Sequence, residues 1–91
     1  MQIQQGRELF RRGQVLRARE TFLVAVTEAP ASMLLELART FDTRYLSTLT
    51  TSDGQADPQR ALSLYEEAVK HGSQEAGAEI DRLRREHPGL Q

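Results

Sequence analysis

Apolar residues recur at helical spacing in five stretches of the chain. The clearest covers 57–76. Asp57 stands as a helix N-cap, and Pro58 takes the first helical position, where its missing N–H costs nothing. Ala61, Leu62, Tyr65, Ala68 and Val69 follow on one face. Gly72 closes the helix as its C′ residue, with His71 beside the last carbonyls. Within that face Ala61, Tyr65 and Ala68 read small, aromatic, small at i, i+4 and i+7. The two alanines let a neighbouring helix come close while the ring fills the space between them. Ala18, Phe22 and Ala25 carry the same pattern upstream.

The first helix is predicted over about 2–12, with Ile3, Leu9 and Phe10 apolar. Gly6 lies one turn from Leu9 and Phe10. A mid-helix glycine costs about 1 kcal/mol against alanine, so it marks a close-packing site. Gly13 ends the helix. The second helix is predicted over about 15–28, with Leu16, Ala18, Phe22, Ala25 and Val26 on its buried side, widened by Leu23 and Val24. The β-branched and aromatic residues of 21–26 suit a strand. The i+4 spacing and the flanking Arg17-Ala18-Arg19-Glu20 favour helix, up to Pro30. The third helix starts with Ser32 as N-cap, shows Leu34, Leu37, Ala38 and Phe41 on one face, and ends near Phe41.

The segment 42–56 breaks the periodicity. Asp42 is suited to cap a short turn that lays Tyr45, Leu46 and Leu49 over the core. Thr, Ser, Asp and Gly then make 48–55 a loop, expected to be the most mobile internal part. The last helix, about 74–86, has a narrow stripe of Ala76, Ile80 and Leu83. Glu79, Asp81, Arg82, Arg84, Arg85 and Glu86 fill the faces turned to water, which suits the end of a helical stack. Residues 87–91 read as a frayed tail.

Composition narrows the function classes. With 91 residues the chain fits one small domain, and 38% hydrophobic against 5% aromatic content means a core of Leu, Ala and a few rings. Lys+Arg is 12 and Asp+Glu 13, a net charge of −1, so the electrostatic footprint of a nucleic-acid binder is missing. Without cysteine there is no disulfide, thiolate nucleophile or thiolate metal site. The apolar run 22–38 is broken by Glu28, Pro30 and Glu36, so no membrane insertion is expected. Met1-Gln2-Ile3-Gln4-Gln5 has no basic-then-apolar leader pattern, and the expected compartment is the cytoplasm. His71 and His87 sit at a helix end and in the tail, and Glu66 and Glu67, a turn from His71, lie on a solvated face. No metal, cofactor or catalytic residue is therefore expected.

Self-comparison organises these helices into units. Gly6 and Leu9 correspond to Ala38 and Phe41, and Ala18, Phe22 and Ala25 to Ala61, Tyr65 and Ala68. The chain divides into repeat one at about 2–30, repeat two at about 31–72 with an insertion at about 43–56, and a capping helix at about 73–87. On these positions the chain resembles the tetratricopeptide family and its Sel1-like relatives. Gly6, Leu9, Gly13, Ala18, Phe22, Ala25 and Pro30 fall on the family's small, large, turn, small, aromatic, small and proline positions. Gly72 followed by Ala76 looks Sel1-like. Leu37-Ala38-Arg39-Thr40-Phe41-Asp42, the Tyr45-Leu46 pair and the later Asp57 helix are also similar to a repeat domain of alphaproteobacterial proteins of unassigned function. The departures are the insertion and Gln2 at a usual large aromatic position.

The resemblance implies an all-α fold, a short α-solenoid of two hairpins plus a C-terminal capping helix, about five helices in one domain. It also implies a concave face lined by the first helix of each hairpin. Carried over by position, that face holds Ile3, Arg7, Phe10 and Arg11, then Leu35, Arg39 and Asp42, then Gly77, Asp81 and Arg84. The family's carboxylate clamp uses Lys and Asn where Ile3 and Arg7 stand, so that partner class is not expected. The expected function is a non-catalytic protein–protein interaction module. Its partner-binding residues are Arg7, Phe10, Arg11, Leu35 and Arg39, and its partner is a protein or an acidic peptide. The alternative is an assembly domain that pairs copies of itself into a homo-oligomer.

Overall fold

The computed structural model describes residues 2–90; Met1 and Gln91, the outer ends of the leader and tail readings, lie outside them. The fold is all-α, with no strand among the described residues. Its elements are α1 (Gln2–Arg11), α2 (Val15–Val24), α3 (Pro30–Arg39), α4 (Thr43–Leu46), α5 (Pro58–Lys70) and α6 (Gln74–Glu86). Each longer helix packs chiefly on its neighbours in the chain, α1 on α2, α2 on α3, α3 on α5 and α5 on α6, and α1 also meets α3. The result is a slab of 31 × 30 × 15 Å.

The small–aromatic–small triplets form the two crossings. Ala18, Phe22 and Ala25 are buried with Met33 and Leu37 between α2 and α3. Ala61, Tyr65 and Ala68 are buried with Leu34, Ala38, Leu62, Ala76 and Leu83. Val26, Phe41 and Leu64 border both groups and join them into one core. Gly6 is the expected close-packing site: a Cβ there would lie 2.3 Å from Phe22 Cε1.

Helices α1 and α5 end in the same way. Gly13 (φ +81°) and Gly72 (φ +103°) take the left-handed conformation that glycine tolerates. Gln14 N–H donates to Leu9 O and Gly13 N–H to Phe10 O, each at 2.9 Å. Ser73 N–H to Ala68 O and Gly72 N–H to Val69 O repeat the pair, also at 2.9 Å. These are the paired bonds of a Schellman cap.

Several local expectations are corrected. Helix α2 stops at Val24, because Pro30 pushes Ala29 to φ −146°, ψ 70° and the preceding turn tightens into i+3 bonds such as Val26 N–H to Leu23 O. Pro30 starts α3 at its first turn, and Ser32 lies inside that helix as no cap. Leu16, Leu23, Val24 and Val69, assigned to buried faces, are exposed. Asp57 and Asp42 do cap α5 and α4, accepting from Arg60 N–H at 3.1 Å and Arg44 N–H at 3.0 Å. Ser73 does the same for α6 at Ala76 N–H.

The insertion, read as a loop, lies against the turn between α1 and α2. Thr51 lies against Gly13, where an added Cβ would meet Thr51 O at 2.3 Å. Asp53 N–H donates to Gly13 O at 3.1 Å, and Asp53 Oδ1 accepts from Leu16 N–H at 3.0 Å. Gln14, the N-cap residue of α2, makes no side-chain cap bond. Asp53 therefore supplies from the insertion an acceptor that the first turn of α2 lacks locally.

Candidate functional site

Two of the side chains expected on the inner face, Arg7 and Arg39, fall into a row of ion pairs across three helices. Arg7 of α1 donates from Nε and Nη2 to the two oxygens of Glu36 of α3, each at 3.0 Å. Arg39 of α3 donates from Nε to Glu79 of α6 at 2.9 Å, from Nη2 to Glu75 at 3.2 Å and from Nη1 to Glu36 at 3.4 Å. The row runs guanidinium, carboxylate, guanidinium, carboxylate from α1 to α6. Bidentate geometry fixes direction as well as distance.

A second layer continues it inward. Tyr45 of α4 donates its hydroxyl to Glu79. Its ring lies under the guanidinium groups of Arg39, at 5.3 Å from the centroid, and Arg82, at 5.9 Å. Arg82 donates to Asp42, to Glu79 at 3.1 Å and to Glu86 at 2.6 Å. Asp42 also accepts from the Tyr65 hydroxyl at 2.7 Å. Every buried side-chain nitrogen or oxygen among the described residues has a partner.

The electrostatics follow from this pairing. Burial pushes the Glu79 carboxyl upward, but the hydrogen bonds from Tyr45, Arg39 and Arg82 outweigh it and hold the group below its ordinary value. Burial lowers Arg39 and Arg82, and their carboxylate partners carry both above the usual arginine range. Burial first and the Glu79 hydrogen bond second raise Tyr45. Arg7 is raised chiefly by its bond to Glu36. Chemically the network is a fixed polar clamp that joins α1, α3, α4 and α6.

Arg7, Phe10 and Arg11 share one side of α1, and the ion pairs bring Arg39 into line with them. Arg7 and Arg11 are exposed and Phe10 is half-buried beside the Phe22 group. Leu35 does not join them. It is 7% exposed and belongs to the core around Tyr65, since α3 is enclosed on more sides than a helix lining an open face. The positive charge of Arg7, Arg11 and Arg39 is largely neutralised by Glu36, Glu75, Glu79 and Glu8. What remains is at the α1 end, where Arg11 and Arg12 share Glu8.

On α6 the row uses Glu75, Glu79 and Arg82 in place of the expected Gly77, Asp81 and Arg84; Arg84 turns to Glu66 of α5 at 3.3 Å. Asp42 is fully buried and not a lining residue. Tyr45 covers the ionic cluster, and Leu46 and Leu49 are half-buried outside both core groups. Glu79 and Arg82 were legible only as polar residues of an outer face. Their spacing of three on one helix was the available signal, and it does not name the partners on α3 and α4.

No family model, curated protein or solved structure matches the chain. No described helix is long and apolar enough to cross a membrane.

Proposed function

We propose that the chain is a non-catalytic protein–protein interaction module, a short solenoid of two tetratricopeptide- or Sel1-like hairpins with α6 as cap. It takes an extended or helical segment of a partner protein on the face shared by α1, α3 and α6. The observation that supports this reading is the Arg7–Glu36–Arg39–Glu79 row, which holds three helices edge to edge and leaves polar groups of set direction along the face. Nearest-neighbour packing of the helices supports the solenoid assignment. Phe10 is the apolar anchor. Arg11 and Arg12, sharing one carboxylate, are the pair that meets an acidic group on the partner.

The test uses a randomised displayed-peptide library panned on the folded domain. Enriched peptides are then measured against Phe10→Ala and Arg11→Ala, after thermal melts confirm that both variants fold. Phe10→Ala is expected to weaken binding by at least about 30-fold, the equivalent of a hot spot of about 2 kcal/mol. Arg11→Ala is expected to reduce the salt dependence, because exposed ion pairs are screened over about 10 Å at 0.1 M. Failure to enrich any sequence, or losses under about twofold in both variants, rejects the face.

A further inference from the structure

We propose that Asp53-Gly54 is a site of covalent rearrangement to isoaspartate, which the chain undergoes when the insertion leaves the α1–α2 turn and which prevents the insertion from returning. Of the four aspartates, Asp42, Asp53, Asp57 and Asp81, only Asp53 precedes a glycine. Glycine has no Cβ, so its nitrogen meets the carboxyl carbon of the preceding aspartate unhindered.

The surroundings demand both residues of this reactive pair. Asp53 Oδ1 accepts from Leu16 N–H at 3.0 Å, and Asp53 N–H donates to Gly13 O at 3.1 Å. A Cβ at position 54 would lie 2.6 Å from Cγ1 of the fully buried Val15, so a side chain there would push the segment away. The same contacts restrain the reaction. Ring closure needs the carboxyl carbon turned onto Gly54 N. In the structure the carboxylate is held by Leu16 N–H, and Gly54 N–H donates to Ser52 Oγ at 3.1 Å. Reaction runs through the open segment, and its rate follows the population of that state.

The step balances with water alone. Gly54 N bonds to Asp53 Cγ as the Cγ–OH bond of the protonated carboxyl breaks, and the amide hydrogen leaves with that hydroxyl as one water. A second water opens the resulting five-membered imide. Opening at Cγ returns aspartate. Opening at the main-chain carbonyl breaks its bond to Gly54 N and leaves the chain running through Cβ and Cγ, with a free carboxylate on Cα. Nothing is oxidised or reduced, and the mass is unchanged. The main chain is then one carbon longer and the carboxylate one carbon closer to it. The Leu16 and Gly13 bonds can no longer form together, and α2 loses its distant cap.

The test incubates the full chain at neutral pH, folded in buffer and unfolded in guanidinium chloride. Trypsin releases the peptide 45–60, bounded by Arg44 and Arg60. Its isoaspartyl form separates by chromatography at equal mass and is identified by electron-transfer fragmentation. Asp57, the other aspartate in this peptide, precedes Pro58, whose nitrogen has no hydrogen to lose and cannot close the ring. The folded chain is expected to rearrange at least about tenfold more slowly than the unfolded one. Asp53→Glu, which would need a six-membered ring, abolishes the shifted peptide. In the purified isoaspartyl chain, the Leu16 amide is expected to exchange faster than in the parent. Folded and unfolded rates within about twofold of each other overturn the proposal. So does an unfolded chain that yields no isoaspartate, a shifted peptide that persists in Asp53→Glu, or a Leu16 amide as protected in the isoaspartyl chain as in the parent.

Discussion

The Tyr65 hydroxyl donates to Asp42 Oδ2 at 2.7 Å, and both residues are fully buried. The bond links the central ring of α5 to the cap of α4, and Arg82 of α6 reaches the same carboxylate oxygen. One buried carboxylate thus ties three helices. Tyr65→Phe removes a hydrogen bond to a charged acceptor without opening a cavity. It is expected to lower unfolding free energy by about 1–3 kcal/mol in urea. Ser63→Ala, on the exposed side of the same helix, should change it by less than about 0.5 kcal/mol. Equal effects of the two would show that the Asp42 link carries no stability.

Gly6→Ala and Gly77→Ala should have opposite signs. In a helix, alanine is favoured over glycine by about 1 kcal/mol. At Gly77 nothing lies within 4 Å of the added Cβ, so the substitution should stabilise by up to about that amount. At Gly6 the Cβ would meet the Phe22 ring at 2.3 Å, and that ring is itself buried and cannot swing aside. Overpacking of this kind costs about 1–3 kcal/mol, which exceeds the propensity gain. Melting curves of the two variants decide it, and a raised melting temperature for Gly6→Ala would reject the close crossing of α1 and α2.

The helices and their two crossings were readable in the sequence because their signals are local. Asp57-Pro58, Gly72 and the triplets at Ala18 and Ala61 each act within a few residues of themselves. The ionic network as a whole was not readable, because its members come from α1, α3, α4 and α6, and a charged residue on a helix has the same sequence signature whether it meets water or a buried guanidinium. Leu16, Leu23 and Val24 misled for the converse reason. Apolar character shows which side chains favour burial, and α2 has more of them than its two neighbours, α1 and α3, cover.

Glu79 is expected to make the fold acid-sensitive. Its folded-state carboxyl titrates below the ordinary 4.5, so its ion pairs contribute fully above that pH. The contribution is lost as pH falls past 4.5 and through the folded value, because protonation then favours the unfolded chain. The stability difference between the parent and Glu79→Gln should therefore be largest near neutrality and shrink below pH 4.5. Thermal melts over a pH series measure this, and a difference independent of pH would mean that the charge of Glu79 is not what holds α6.

Asp53 should behave as a cap delivered from a distance. Its carboxylate accepts from Leu16 N–H in the first turn of α2, and its own N–H donates to Gly13 O. Just beyond Asp53 the segment is fixed again, by Gly54 against Val15 and by Gln55 O, which accepts from Arg19 Nη2 at 2.7 Å. Arg19 in turn stacks on the Phe41 ring at 3.8 Å and donates to Thr40 O at 2.8 Å, so the insertion is anchored through to the end of α3. A sequence rich in Thr, Ser, Asp and Gly is thereby placed by contacts outside itself. The amides of Leu16 and Asp53 should exchange more slowly than an unstructured chain of this sequence. Asp53→Ala should speed both and lower stability by about 0.5–2 kcal/mol, the usual worth of an N-cap. Asp53→Asn keeps an acceptor oxygen and should recover most of the loss. Unprotected exchange at Leu16 and Asp53 in the parent would show that the insertion does not dock, and equal losses for alanine and asparagine would show that it docks without capping α2.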